Sequence, residues 1–339
     1  LSYQLDLYRL TLADKEGQEM STEVTDRATD NALLGDEGTW TGRVFSDGWV
    51  DAPETIESSE PATGDVLATA GVGNADTVAK AAASAARAQR EWAATPISDR
   101  IQVIRKAAEL MEQHRAELIR WMVREGGAIP PKADNEVSAS IGQFEMAASL
   151  ISHPLGQVLP SLTPGRSSMA RRVPVGVVGV ICPWNFPLVL PARSVGPALA
   201  LGNAVVLKSD LNTPVSGGVL TARIFEEAGL PEGVLHVIGG GAEVGQAIVE
   251  DPNIRMISFT GSTATGRKVG EAAGRNLKRM VLEMGGNSPL VVLDDADIEM
   301  ATSAGAWGSF AHQGQICLAV SRHLVHESIA ADYVKALAE

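Results

Sequence analysis

Apolar and polar positions divide the chain into two regimes. Residues 74–95 are rich in alanine, with Asn74 or Asp76 available as a helix cap. Ile101, Ile104, Leu110, Met111, Leu118 and Met122 recur near helical spacing, which predicts one helix over 97–125. A third helix is predicted around 136–151. Beyond it the period changes. The β-branched run 173–181 reads as a buried strand. After it the pattern predicts a helix over 194–201, a strand over 204–207 and a helix over 213–228, ended by Gly229 and Pro231. A strand over 234–238, a helix over 245–250, a strand over 256–260 and a helix over 266–273 follow, then strands at 278–283 and 290–293. Strands alternating with helices predict an α/β fold built on a parallel sheet with helices on both faces. Residues 1–45 are acidic and polar without a sustained period, so a poorly structured N-terminal extension is expected there. The chain does not begin with Met, and Met20 starts a more ordinary N-terminus, so 1–19 reads as extra sequence.

Composition narrows the class. The 339 residues are 45% hydrophobic and 20% charged, as in a globular protein with a sizeable core. The formal net charge of −13 and the lack of a basic block argue against nucleic acid or an anionic membrane as partner. Two cysteines, Cys182 and Cys317, make neither a disulfide framework nor a cysteine-rich zinc site, so no metal is expected and a reducing cytoplasm is the simplest compartment. The uncharged stretch 173–192 has the length of a membrane span. It holds Pro174, Pro183, Pro187 and Pro191, which makes a strand followed by a loop the better reading.

Parallel sheets bind ligands at the carboxyl ends of their strands, and several loops at such ends carry candidate chemistry. In Cys182-Pro183-Trp184-Asn185-Phe186-Pro187 an amide sits between two aromatics in a proline-stiffened loop. Asn185 there is either a structural turn residue or a hydrogen-bond donor to an oxyanion. Gly261-Ser262-Thr263-Ala264-Thr265-Gly266 opens a helix, whose free N–H groups favour a phosphate. It matches neither a Walker loop nor G-x-G-x-x-G, and an ordinary strand–helix turn stays open. Lys208-Ser209-Asp210 offers a cation and a carboxylate to a ribose, or is a solvated loop. Glu283, before Met284-Gly285-Gly286-Asn287, is either a general base or a surface acid. Cys317 by itself reads as an inert buried thiol, because no sequence neighbour explains activation.

Together these segments resemble a known family. P-W-N-F-P at 183–187, L-K-S-D at 207–210, F-T-G-S-T-A-T-G at 259–266, L-E-M-G-G-N-S-P at 282–289 and G-Q-I-C at 314–317 are similar to the aldehyde dehydrogenase superfamily in order and spacing, with 317 − 283 = 34 positions between acid and thiol. The resemblance runs from about Gly48 to the last residue. It implies that Cys317 attacks an aldehyde, that Asn185 and the Cys317 backbone N–H hold the oxyanion, and that Glu283 activates the water that hydrolyses the thioester. It implies NAD across the strand ends, with NADP possible. Ile181, Pro183 and Trp184 would line it, with Lys208 and Asp210 at the adenosine ribose, Gly241 and Gly245 near the adenine, and Gly261, Ser262 and Gly266 at the pyrophosphate. Asp210 stands where the family more often has glutamate, and Ser209 where it has proline. The runs 194–203 and 213–218 look most like benzaldehyde dehydrogenases, which implies an aromatic aldehyde as the small-molecule partner.

The resemblance also implies a Rossmann-like cofactor domain over 46–283, with an oligomerisation hairpin near 155–173, and a catalytic domain begun at 284–339. Only 339 − 283 = 56 residues follow Glu283, and the family's E-x-F-G-P segment is absent. The α/β catalytic domain is therefore expected to be incomplete, and the chain alone inactive or unstable; the complete enzyme is expected to form a dimer or tetramer. Three functional classes stay open: a hydrolytic aldehyde dehydrogenase, a semialdehyde or CoA-acylating relative (against which Glu283 argues), and a non-catalytic protein keeping the fold.

Overall fold

The structure, a computed structural model, describes residues 32–339. Strands β7 (Val177–Ile181), β8 (Ala204–Ser209), β9 (Leu235–Gly239), β10 (Ile254–Gly261) and β11 (Arg279–Met284) pair in parallel in the order β11-β10-β7-β8-β9. The chain steps outward from β7 to β9, then returns to lay β10 on the other side of β7. That reversal is a topological switch point, and such sheets hold ligands in the crevice it opens at the strands' carboxyl ends.

The sheet forms because β7, β8 and β9 are buried along their whole length. Their side chains alternate between two cores, as the period of two requires. Val178, Val180, Val205, Leu207, Leu235 and Val237 join one core; Val177, Ile181, Ala204, Val206 and Ile238 join the other. The first core is completed by helices α2 (Ile97–Gln113), α3 (Arg115–Gly126), α4 (Pro130–Ser149), α5 (Val189–Ala200) and α6 (Leu220–Glu227). The second is covered by α1 (Ala75–Ala94), α7 (Ala242–Glu250) and α8 (Thr263–Arg275). A Cβ on Gly179 would lie 2.5 Å from Ile248 Cγ2, so glycine there is what lets α7 approach β7.

Several expectations are corrected. The helix expected over 97–125 is two helices that meet at His114, whose φ of −104° and ψ of 19° break the ladder. After that break, buried Glu117 accepts hydrogen bonds from the Leu33 and Leu34 N–H groups. Helix α4 starts six residues earlier than expected, because Pro130 and Pro131 occupy its first two positions, where a missing N–H costs little. Helix α5 likewise starts at Val189 rather than 194, and a π-helical turn at Val215–Val219 precedes α6. The expected weak structure over 1–45 lies mostly outside the described residues, and that over 1–19 wholly so. Within its described part, Leu33, Leu34 and Trp40 are buried, and Arg43–Phe45 is strand β1. With β2 (Trp49–Asp51), β3 (Glu54–Ser59) and β4 (Val66–Val72), it extends the main sheet beyond β9.

Two smaller sheets stand apart. Strands β5 (Gly156–Leu159) and β6 (Ser168–Arg171) form an antiparallel hairpin that exposes Val158, Leu162 and Met169. Strands β12 (Ser288–Val292) and β13 (Val320–Val325) pair in parallel through α9 (Ile298–Phe310), and α10 (Ala330–Ala338) follows. The uncharged stretch 173–192 is β7, a loop and the start of α5. Among the described residues no helix is long and apolar enough to cross a membrane.

Candidate active site

The loop after β7 carries Asn185 to the carboxyl end of the sheet. Its Nδ2 donates a 2.7 Å hydrogen bond to the Gln315 carbonyl, two residues before Cys317. Its Oδ1 is buried with no hydrogen-bond partner among the described residues. Beyond α9 the chain makes a tight excursion through His312, Gln313 and Gly314, with φ of 48°, 55° and 73° in the left-handed region. This turn brings Cys317 back to the sheet. Two residues beyond the end of β11, the Gly286 N–H donates a 3.1 Å hydrogen bond to the Cys317 carbonyl. Asn185, Cys317 and the turn that follows Glu283 therefore meet at one end of the fold, although they span 317 − 185 = 132 positions of sequence.

The two thiols differ sharply. Cys182 is buried, and burial pushes its thiol up to about 12, an effect the nearby Lys208 ammonium only partly offsets. A thiol held protonated and out of reach is a poor nucleophile. Cys317 is exposed.

His312 packs against Trp184 and Phe186, each with ring centroids 6.0 Å away, and neither ring nitrogen has a hydrogen-bond partner among the described residues. Burial, helped by the Lys132 charge, holds its imidazole down to about 4, against an ordinary 6.5. The folded state thus keeps this ring neutral while the unfolded chain takes up the proton first. Its contribution to stability is present above about pH 6.5 and is lost as pH falls towards 4. His312→Asn, which tolerates the left-handed backbone, is expected to flatten the fall of the urea midpoint across that window. His236, also depressed by burial, keeps part of the slope. An unchanged slope rules His312 out as a contributor.

The other strand ends supply groups suited to a dinucleotide. Lys208 is buried near the end of β8, and its ammonium lies 3.9 Å from Asp210, too far for a hydrogen bond. Burial pulls the lysine down, while Asp210 and then Cys182 oppose the shift. One Asp210 oxygen is engaged by the Asn212 N–H and side-chain amide, which leaves the other facing Lys208. Gly241 caps α7, and a Cβ on Gly245, in its first turn, would lie 3.9 Å from Lys208 Cδ. Gly261 ends β10, and Ser262 caps α8 by accepting from the Thr265 N–H. Ile181 ends β7, with Pro183 and Trp184 just beyond. These positions fit a dinucleotide laid across β7, β8 and β10. Gly266 lies buried within α8, and a Cβ there would come 2.5 Å from Met284 Sδ. Glycine there lets the helix approach the sheet.

Two functional candidates were invisible in the pattern. Lys132 donates 2.8 Å to the Asn185 carbonyl and 2.6 Å to Glu136, and Glu136 accepts from the Leu188 and Val189 N–H groups at 2.8 and 3.1 Å. Their one local signal is the i, i+4 spacing, which means little until α4 is known to begin at Pro130.

The profile of the aldehyde dehydrogenase family matches residues 49–339. The chain belongs to that family. It is 59% identical over 305 residues to a vanillin dehydrogenase of an Amycolatopsis species, a match that covers 90% of this chain and 63% of the relative. It is 53% identical over 300 residues to a benzaldehyde dehydrogenase [NAD(+)] of Pseudomonas putida, covering 88% and 62%. Among solved aldehyde dehydrogenase structures, an NAD-dependent benzaldehyde dehydrogenase from Corynebacterium glutamicum superposes with a TM-score of 0.83 at 43% identity, covering 87% of this chain and 65% of that one. The chain thus spans about three fifths of the length of these curated relatives.

Proposed function

We propose that this protein oxidises an aromatic aldehyde to its carboxylic acid with NAD, and with NADP as a possible second cofactor. The observation that carries the proposal is the convergence of Asn185, the Cys317 turn and the Glu283 turn, tied together by the Asn185–Gln315 and Gly286–Cys317 hydrogen bonds. The aromatic class is supported by the relatives, whose names are vanillin and benzaldehyde dehydrogenase.

In this reading the Cys317 thiolate attacks the carbonyl carbon to form a thiohemiacetal. One Asn185 amide proton is engaged by Gln315; the other, with the Cys317 N–H, receives the oxyanion. Ile181, Pro183, Trp184, Lys208, Asp210, Gly241, Gly245, Gly261 and Ser262 would hold the dinucleotide, which when bound supplies the hydride acceptor. An acid at 210 pairs with ribose hydroxyls and repels a 2′-phosphate, which favours NAD. Glu283 then takes a proton from the water that attacks the Cys317 thioester. Residues 46–283 would form the cofactor domain and 284–339 the start of the catalytic one. The hairpin β5–β6, with its exposed Val158, Leu162 and Met169, would serve assembly into an oligomer.

Assay of NADH formation from vanillin and from benzaldehyde tests the activity. Glu283→Gln is expected to keep a first-turnover burst of NADH but to lower the steady-state rate about 10²–10⁴-fold, the usual range for a lost general base. A normal steady-state rate in that variant removes Glu283 from the mechanism, and no aldehyde-dependent NADH from the chain extended to the length of its relatives removes the proposal.

A further inference from the structure

Lys132 and Glu136 lie four residues apart on one face of α4, with side chains only 10% and 0% exposed. A buried ion pair contributes little net stability compared with apolar packing, so what else the two groups bond matters more. The Lys132 ammonium donates to the Asn185 carbonyl and stands 4.1 Å from the Phe186 ring centroid. The free Glu136 oxygen accepts from the Leu188 and Val189 N–H groups, orphan donors at the start of α5. One ion pair thus grips the active-site loop on both sides of Phe186-Pro187. The Asn185 main chain is fixed from α4, and its side-chain amide from Gln315.

We infer that Lys132, held by Glu136, is a positioning residue that sets Asn185 to receive the oxyanion. What Asn185 does rests on the aldehyde-oxidising reading; what Lys132 does to the loop rests on geometry alone.

Two measurements on the whole chain test this in Lys132→Met, which keeps length but loses charge, and Lys132→Arg, which keeps both charge and donors. The first is amide hydrogen exchange over residues 183–190. Exchange at Leu188 and Val189 is expected to rise about tenfold in Lys132→Met, the scale of one lost charge-assisted hydrogen bond, and to return towards the original in Lys132→Arg. Exchange along β8 reports whether each variant is folded, and Lys132→Gln takes over if Lys132→Met is not. The second is protection of Cys317 from iodoacetamide by vanillin. The half-protecting concentration is expected to rise about tenfold in Lys132→Met, since small misplacements of an oxyanion donor carry penalties of at least that order. Alkylation without aldehyde should not change, a split that general loosening of the fold would not give.

Unchanged exchange at Leu188 and Val189 overturns the inference. Faster exchange with unchanged protection also overturns it, because the loop would then be held without setting Asn185. If vanillin fails to protect even the unaltered chain, the aldehyde reading is what fails, and exchange alone decides Lys132.

Discussion

With Cys317 as the proposed nucleophile, Cys317→Ala is expected to lower the proposed vanillin oxidation more than about 10⁴-fold, the scale on which removing a covalent nucleophile acts. The size follows from the lack of a substitute. Cys182, the second thiol, is buried, and desolvation holds it protonated with its thiol pushed up to about 12. It follows the end of β7, where its N–H donates to the Lys208 carbonyl, and the Lys208 charge does not compensate for the burial. The donors proposed for the oxyanion remain in the variant, but a donor with no thiohemiacetal to stabilise accelerates nothing. Two measurements check the expectation together: NADH formation from vanillin, and stoichiometric alkylation of the native protein by iodoacetamide. The variant should lose both. Retention of more than about a hundredth of the original rate would mean that the chemistry does not pass through this sulfur.

The parts of this site that were readable in the sequence are those where chemistry forces local backbone. The strands ending at Ile181 and Ser209 were visible because strands buried on both faces read as continuous apolar runs, and the one ending at Gly261 because its apolar residues alternate with polar ones from Ile257 onward. The loops after them stood out through Pro183, Pro187 and Gly261. The short strands β1–β4 gave no such signal, since β3 is mostly exposed and burial alternates irregularly along it. Helix α9 was missed for a related reason: Met300, Trp307 and Phe310 are exposed while Thr302 and Gly305 are buried, so its apolar residues do not mark a core face. The packing need at Gly266 was not legible, because the Met284 side chain it makes room for lies 284 − 266 = 18 positions away. The Lys132–Asn185 contact lies 185 − 132 = 53 positions apart, on an α4 turn that precedes the helix expected from 136. Sequence periodicity carries no information about such a pair until the fold brings α4 and α5 together.

Glu125→Leu is expected to cost about 3–5 kcal/mol, the range for removing one partner from a buried polar network. Glu125 lies in the last turn of α3 and is 1% exposed. Its Oε1 accepts from Ser58 Oγ at 2.7 Å and the Val215 N–H at 2.9 Å; its Oε2 accepts from the Ser216 N–H at 2.6 Å and from Ser216 Oγ. One carboxyl therefore joins β3, α3 and the π-helical turn that leads into α6. Leucine preserves apolar volume, so a cavity is not the cause of the loss. The two serine hydroxyls can rotate, but the Val215 and Ser216 N–H groups belong to the first turn of a buried helix, where the helix itself offers them no acceptor. The pH dependence separates this cause from general damage. Burial raises the Glu125 pKa above its ordinary 4.5 despite four donors that favour the charge. A carboxyl raised in this way contributes fully below about pH 4.5, and its contribution declines as pH rises through the folded value. The urea-unfolding gap between the original protein and Glu125→Leu should therefore be widest in acid and narrow with rising pH. A gap that widens with pH would mean the carboxyl is held as a stabilised anion, and an absent gap would mean that Val215 and Ser216 do not depend on it.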